Sequence, residues 1–269
     1  MNDIQKRKMI NSTLFLEKKV GLITLNRPEF GNAYCKVLLT ELIEVLKKWD
    51  LNKQIVLVVI SAKGKYFCTG GDVNHMLNQK DIFDSDKKKL DTKYKNYIQK
   101  LALLLRGYSK LTLAYVDGPA IGAGFGLALY CDFIAASERA SFQLPFIDIG
   151  LVPGDGSFWL LSQKIGESKS KKFLFTGKNI DYKEGIDSQL IDFQFISGLL
   201  DSDILKEVDN HFQFSKKEMI PLSKNMELVN FRKNTIFEFK AHLQTARKFQ
   251  VNLQTSPLHL KLLRKKIKK

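Results

Sequence analysis

With 269 residues and 44% hydrophobic composition, the chain is long enough to bury a substantial core. A formal charge of +15, from 43 Lys and Arg against 28 Asp and Glu, points to anionic partners. The polar start, the lack of any apolar run of membrane-spanning length and three cysteines without metal spacing argue against a signal peptide, a membrane span and a Cys-metal site. The cysteines, Cys35, Cys68 and Cys131, read as reduced thiols of a cytoplasmic compartment.

In chain order, residues 13–17 and 20–26 form a hairpin turning at Lys18 and Lys19, and Pro28 stops its second strand. Leu38, Leu42, Val45, Leu46 and Trp49 fall on one face of a helix. The unbroken apolar run 55–60 has the character of a strand covered on both faces. Lys63-Gly-Lys65 then turns the chain into a small-residue loop, Tyr66-Phe-Cys-Thr-Gly-Gly-Asp-Val73, which opens into a helix with Asp72 as its N-cap. Residues 78–95 are polar, and the charged run 84–89 reads as a solvated face or a disordered loop. An amphipathic helix carrying Tyr97, Ile98, Leu101, Leu104 and Leu105 follows, to about Tyr108.

Residues 111–136 read as strand, glycine turn, short helix and strand, with Gly118, Gly122, Gly124 and Gly126 in the turn and the helix start. No Lys-Ser/Thr follows as in a P-loop, and Gly122-Ala-Gly-Phe-Gly126 has the wrong spacing for a dinucleotide fingerprint. The first N–H groups of a helix lack internal partners and sit at its positive end. Two small-residue loops, each leaving a buried strand, can therefore offer one N–H apiece to an oxygen that gains negative charge. An enolate or tetrahedral oxyanion formed from a thioester carbonyl needs this arrangement. A turn that only packs a helix on a sheet is the alternative.

Further on, residues 160–165 and a helix over 169–176 precede Gly177, a good helix terminator. A short helical turn starts at Asp181, Ile204, Leu205, Val208 and Phe212 mark another helix, and a long Phe- and Lys-rich helical stretch covers 228–251. The histidines at 75, 211, 242 and 259 lack ligand spacing, and His242 is the one to check for exposure to a pocket.

Six phrases occur in order: Leu25-Asn-Arg-Pro-Glu-Phe-Gly-Asn-Ala33, Phe67-Cys-Thr-Gly-Gly-Asp72, Asp117-Gly-Pro-Ala-Ile-Gly-Ala-Gly124, Cys131-Asp132, Gly150-Leu-Val-Pro-Gly154 and Phe175-Thr-Gly-Lys-Asn-Ile-Asp181. Together they resemble the crotonase (enoyl-CoA hydratase/isomerase) superfamily, from about Lys19 to Leu200. The resemblance implies an α/β fold: a crotonase-type ββα spiral core over residues 1–200 with the acyl-thioester site, and a C-terminal helical trimerisation region over 201–269. It implies Gly71 and Ala123 as the two oxyanion donors. Arg27, Ala33, Cys68, Thr69, Gly70, Asp72, Val73, Gly122, Pro145 and Phe146 are then expected along the substrate and its CoA, with Arg27 alternatively a plain turn arginine. No tightly bound cofactor is expected; coenzyme A enters as part of the substrate. The expected partners are an acyl-CoA or acyl carrier protein thioester and further copies of the chain, as a trimer or hexamer. Neither a membrane nor a nucleic acid is the expected partner.

The chain departs from typical hydratases at the two positions where they carry glutamates, which are Gly126 and Phe146 here. Paired acid/base work by two glutamates is therefore absent. The Pro145-Phe146 pair resembles a branch of Δ3,Δ2-enoyl-CoA isomerases that carry a single acidic base a short way beyond that phenylalanine. Gly154 stands at the nearest position and Asp155 directly after it, so Asp155 is the acid/base candidate and Asp148 a second. Asp155 reads equally as a cap on the helix beginning at Ser157, Asp148 as a turn residue and Cys68 as a packed thiol. The expected activity is isomerisation or hydration of an enoyl thioester. Alternatives are a decarboxylase or dehydratase acting on acyl carrier protein in polyketide assembly, and a non-catalytic CoA- or RNA-binding relative.

Overall fold

A computed structural model describes residues 8–212 and 226–267. Strands β1 (Ile10–Phe15) and β2 (Val20–Leu25) pair antiparallel, with Ile10 opposite Leu25 and Phe15 opposite Val20. The hairpin starts at Ile10 rather than Thr13, because Ile10 is buried and its N–H and that of Met9 donate to the Glu41 carboxylate. Its connection is a 3-10 turn, Leu16–Lys18, closed by Lys19 in the left-handed region.

Strands β3 (Leu57–Ala62), β4 (Leu111–Val116), β6 (Phe133–Ala136) and β9 (Phe193–Gln194) extend this sheet in parallel. The order is β1-β2-β3-β4-β6-β9, while β5 (Pro119–Ile121), β7 (Ser141–Gln143) and β8 (Ile180–Asp181) form a second, smaller sheet. The run 55–60 forms its strand two residues late, at Leu57, because Val56 N–H already donates to the Lys19 carbonyl at the hairpin turn.

Alternation along the strands explains their continuous apolar runs. Ile23, Leu25, Val58, Ile60, Ala114 and Val116 face the main core, where Leu38, Leu42, Leu46 and Trp49 of α1 (Lys36–Asp50) meet them. Val20, Leu22, Leu57, Val59, Leu113 and Tyr115 face the other way, against Ile204, Leu205 and Val208 of a C-terminal helix spanning Asp201–Phe212. Each such aliphatic burial stabilises by roughly 1.5–3 kcal/mol.

Between β3 and β4 the chain forms α2 (Val73–Leu77), α3 (Lys87–Tyr94), a π turn over Lys95–Gln99 and α4 (Lys100–Arg106). The charged run 84–89 is ordered: Asp86 caps α3 by accepting from Lys89 N–H, Lys93 pairs with Asp84, and Ile82 and Phe83 just before it are buried. Helix α5 (Ala123–Tyr130) lies between β5 and β6, and α6 (Ser157–Ile165), α7 (Glu167–Thr176) and α8 (Tyr182–Asp187) follow. The helix over Asp201–Phe212 is α9; α10 (Met226–Gln254) and α11 (Pro257–Ile267) complete the chain. Phe239, Leu243 and Val251 of α10 belong to the same core as the strands, so the helices beyond residue 200 pack on both faces of the sheet. Among the described residues, no helix is long and apolar enough to cross a membrane.

Candidate active site

The turn after β2 fixes the first loop of the site. Asn32 is fully buried at positive φ; its amide donates to the Lys63 and Tyr66 carbonyls and its Oδ1 accepts from Arg27 N–H. Arg27 is itself buried, donating to the Ala33 carbonyl and to Asp72 Oδ2 at 2.8 Å, with its guanidinium over the Phe30 ring. Burial by itself would raise the Asp72 carboxyl; hydrogen bonds from Arg27 and from the His75 N–H outweigh it and hold the group below the usual carboxylate range. Asp72 is thus a helix cap and ion-pair partner. Arg27 ties this loop to the turn, with its charge already matched inside the protein.

Two loops meet next to this turn. Ile121 N–H donates to the Cys68 carbonyl at 2.9 Å, and Phe67 N–H donates to the Pro119 carbonyl. Gly70 has φ +78°, and a Cβ placed on it would stand 2.8 Å from the Ala123 nitrogen. Gly124 lies flat against the Cys68 carbonyl, where any side chain would push the loops apart. Ala123 is the first residue of α5, so its N–H has no acceptor within the helix. Gly71 follows Gly70 on the facing loop, and both Gly71 and Ala123 line the same cavity.

That cavity has a volume of about 500 Å³ and a predominantly apolar wall. Of the residues expected along the substrate, Thr69, Val73, Gly122, Pro145 and Phe146 line it with the two donors. Arg27, Ala33, Cys68, Gly70 and Asp72 do not line it; their hydrogen bonds and close packing shape the loops. Cys68 donates its thiol to the Asn32 carbonyl, and burial pushes it up to about 12, which leaves it a packed thiol without nucleophilic character. His242 lies against Trp159 and is not among the lining residues. The sequence reading missed Tyr94, Met76, Phe83, Gln250 and Leu263 as part of the wall; they come from α2, α3, α10, α11 and the chain between α2 and α3. Their apolar or neutral character carries no local signal of a site.

No carboxylate lines the cavity among the described residues. Asp155 is 0% exposed and packs against Gly126 of α5. Its Oδ1 accepts from Ser157 N–H at 3.2 Å and Ser157 Oγ at 2.7 Å, and Oδ2 has no partner among the described residues. Burial raises the Asp155 carboxyl, and the Ser157 bonds offset this only in part. A Cβ on Gly126 would collide with Asp155 Oδ2. The acid thus occupies the space into which a side chain at position 126 would grow. Asp148 lies on the surface side of a 3-10 turn, Ile147–Ile149, and pairs with Lys266 of α11.

A strand sheet with a second small sheet, joined loops and an apolar cavity define the fold class, and comparison with known proteins identifies it. The family model for enoyl-CoA hydratase/isomerase matches residues 16–258, so the chain belongs to the enoyl-CoA hydratase/isomerase family, the crotonase superfamily. A putative enoyl-CoA hydratase/isomerase of Bacillus subtilis is 32% identical over 241 residues, covering 86% of this chain and 92% of the relative. The 2,3-dehydroadipyl-CoA hydratase of Escherichia coli is 33% identical over 183 residues, 68% of each chain. Among solved structures, an enoyl-CoA hydratase/isomerase from Pseudoalteromonas atlantica superposes with a TM-score of 0.80 at 23% identity, over 97% of both chains. At that identity it establishes the fold alone.

Proposed function

We propose that this enzyme moves the double bond of an enoyl-CoA thioester, with the thioester oxygen between the Gly71 and Ala123 N–H groups and Asp155 as the store of the migrating proton. The observation that carries the reading is the contact of the two donor loops at the wall of an apolar cavity, with one fully buried acid packed against Gly126 of the helix that starts at Ala123. Removing a proton from the carbon next to the thioester leaves charge on the carbonyl oxygen. Fixed N–H donors in an apolar, water-poor site stabilise that charge without reorganising. Hydration would require a water held between two acid/base groups, and positions 126 and 146 supply none. A single buried acid suits a reaction that takes one proton off and puts it back. Coenzyme A as the carrier is supported by the family and by the names of the relatives. The buried, unpaired cysteines suit a reducing cytoplasm.

The test is to offer the protein 3-enoyl-CoA, 2-enoyl-CoA and the same acyl groups on acyl carrier protein, and to follow the absorbance of the conjugated thioester. The 3-enoyl-CoA is expected to turn over faster than 2-enoyl-CoA is hydrated. Ala123→Pro removes one donor at the first helical position, which accepts proline, and activity should fall at least about a hundredfold. A folded Ala123→Pro protein with full activity would falsify the donor assignment. Salt-sensitive RNA binding without any turnover would overturn the enzymatic reading.

A further inference from the structure

The last helix, α11, supplies Leu263, Lys266 and Ile267 to the cavity wall, and two ties hold it to the 3-10 turn Ile147–Ile149. That turn and the chain after it supply Ile149 and Leu151 to the same wall. One tie is the ion pair of Lys266 with Asp148. The other is His259, which is 1% exposed and bonds through Nδ1 to the Ile149 carbonyl at 2.7 Å. A carbonyl only accepts, so Nδ1 carries the proton of the neutral ring and Nε2 is a bare acceptor. Nε2 is sealed from solvent and has no partner among the described residues. Gly150, at φ +65°, lies close against the same helix: a Cβ on it would stand 3.0 Å from Leu262 Cδ1 and 3.9 Å from His259 Cα. The joint before the helix is short. Thr255 and Ser256 separate α10 from Pro257, and Ser256 Oγ accepts from His259 N–H at 3.2 Å.

We propose that His259 is a pH-sensitive latch: the neutral ring holds α11 closed over the acyl cavity, and protonation of the ring releases the helix. The latch goes beyond the isomerase reading and holds whatever reaction the cavity carries out. A second proton on the ring can enter only at Nε2, where it would bury an N–H and a positive charge without an acceptor. Burial accordingly holds the imidazole below its usual range, and the Ile149 bond offsets this in part. No neighbouring charge compensates. Of the elements packed on α11, the 3-10 turn carries Asp148, which pairs with Lys266, and α2 carries His75, which sits between Asp72 and Asp81. The end of α10 carries Lys248 and Arg247, the latter bonded to Asp91 and Gln99, and α11 itself adds only cations, Lys261, Arg264 and Lys265. With α11 released, the ring is in water and takes up its proton near pH 6.5. In the closed helix it does so only at lower pH. Closure is therefore fully favoured above about pH 6.5 and weakens as pH falls from there through the closed-state pKa. For one proton the limit is about tenfold in the closing equilibrium per pH unit. Release uncovers the wall at Leu263 and Ile267, and a solvent-exposed ion pair such as Lys266–Asp148 holds little by itself.

The experiment follows hydrogen–deuterium exchange of the full chain from about pH 8 to about pH 5, corrected for intrinsic exchange rates. Protection of the α11 amides should be level above about pH 7 and fall by up to about tenfold per pH unit below about 6.5. At every pH α11 should exchange faster than α1, as a helix released on its own does. His259→Asn keeps a side-chain donor for Ile149 and cannot be protonated, so its α11 protection should not fall over that window. A wild type whose α11 protection ignores pH overturns the latch, and so does an equal fall in His259→Asn. Equal protection of α11 and α1 also overturns it, because the helix then opens only when the whole protein unfolds. Should His259→Asn not fold, nitrogen NMR of the wild-type ring decides. The proton is expected on Nδ1, with titration below about pH 6.5; a folded-state pKa at or above that value uncouples proton uptake from release and overturns the latch.

Discussion

At the scale of single residues, the proposed reaction depends on Asp155. Its carboxyl is enclosed, half partnered by Ser157, and raised by burial above the unfolded value of about 3.9. A carboxyl raised in the folded state favours folding most when protonated, below the unfolded pKa, and that contribution is lost as pH rises through the folded pKa. Asp155→Asn keeps an acceptor for Ser157 and removes the buried charge. Its Tm relative to wild type should therefore increase as pH rises above about 4 and level off once the wild-type group is ionised. Turnover should vanish while CoA-ester affinity stays nearly intact. A variant that keeps its rate and melts lower at every pH would show that Asp155 only caps α6. The pattern Val152-Pro-Gly-Asp-Gly156 offered Asp155 both as an acid candidate and as a cap near Ser157; the bonds to Ser157 were legible there, and the complete burial was not. Tyr94 was not legible as a wall residue, because it lies in a polar, lysine-rich stretch and reaches the cavity only through the fold.

At the scale of elements, α5 and the loop before α6 fit together through Gly126 and Asp155. Inside a helix, Gly→Ala ordinarily stabilises by about 1 kcal/mol. Here the added methyl would meet Asp155 Oδ2, so Gly126→Ala should instead destabilise by about 1–3 kcal/mol. Combining it with Asp155→Ala should recover most of that cost, giving a coupling of similar size in a double-mutant cycle. Strictly additive melting data would show that the carboxyl does not fill the space beside Gly126. The same logic explains the missing glutamate: with Asp155 in place, a side chain at 126 has nowhere to go. The joined loops follow the expectation drawn from their glycines, whereas β5 went unforeseen because three residues between a strand and a turn carry no periodic signal.

At the scale of the whole molecule, α10 and α11 help to close the cavity from within the chain, through Gln250, Leu263, Lys266 and Ile267. Phe231, Phe237 and Phe249 of α10 are 63%, 75% and 60% exposed, an unusual display of aromatic surface along one helix. We expect further copies of the chain to cover part of it, as a trimer or a pair of trimers. Sedimentation at micromolar concentration measures this, and a stable monomer would contradict it.

The sequence by itself determined the main-sheet strands of the first half of the chain, the glycine loops, and the residue types at positions 126, 146 and 155. These are local facts: apolar runs, small residues where backbones touch, and residue types at fixed spacing within a few dozen positions. Tertiary structure alone decided that Arg27 would spend its charge on Asp72, that Asp155 would be fully buried against α5, and that Tyr94 would line the cavity. Burial and charge pairing depend on what folds over a residue from far along the chain, and no local pattern carries that information.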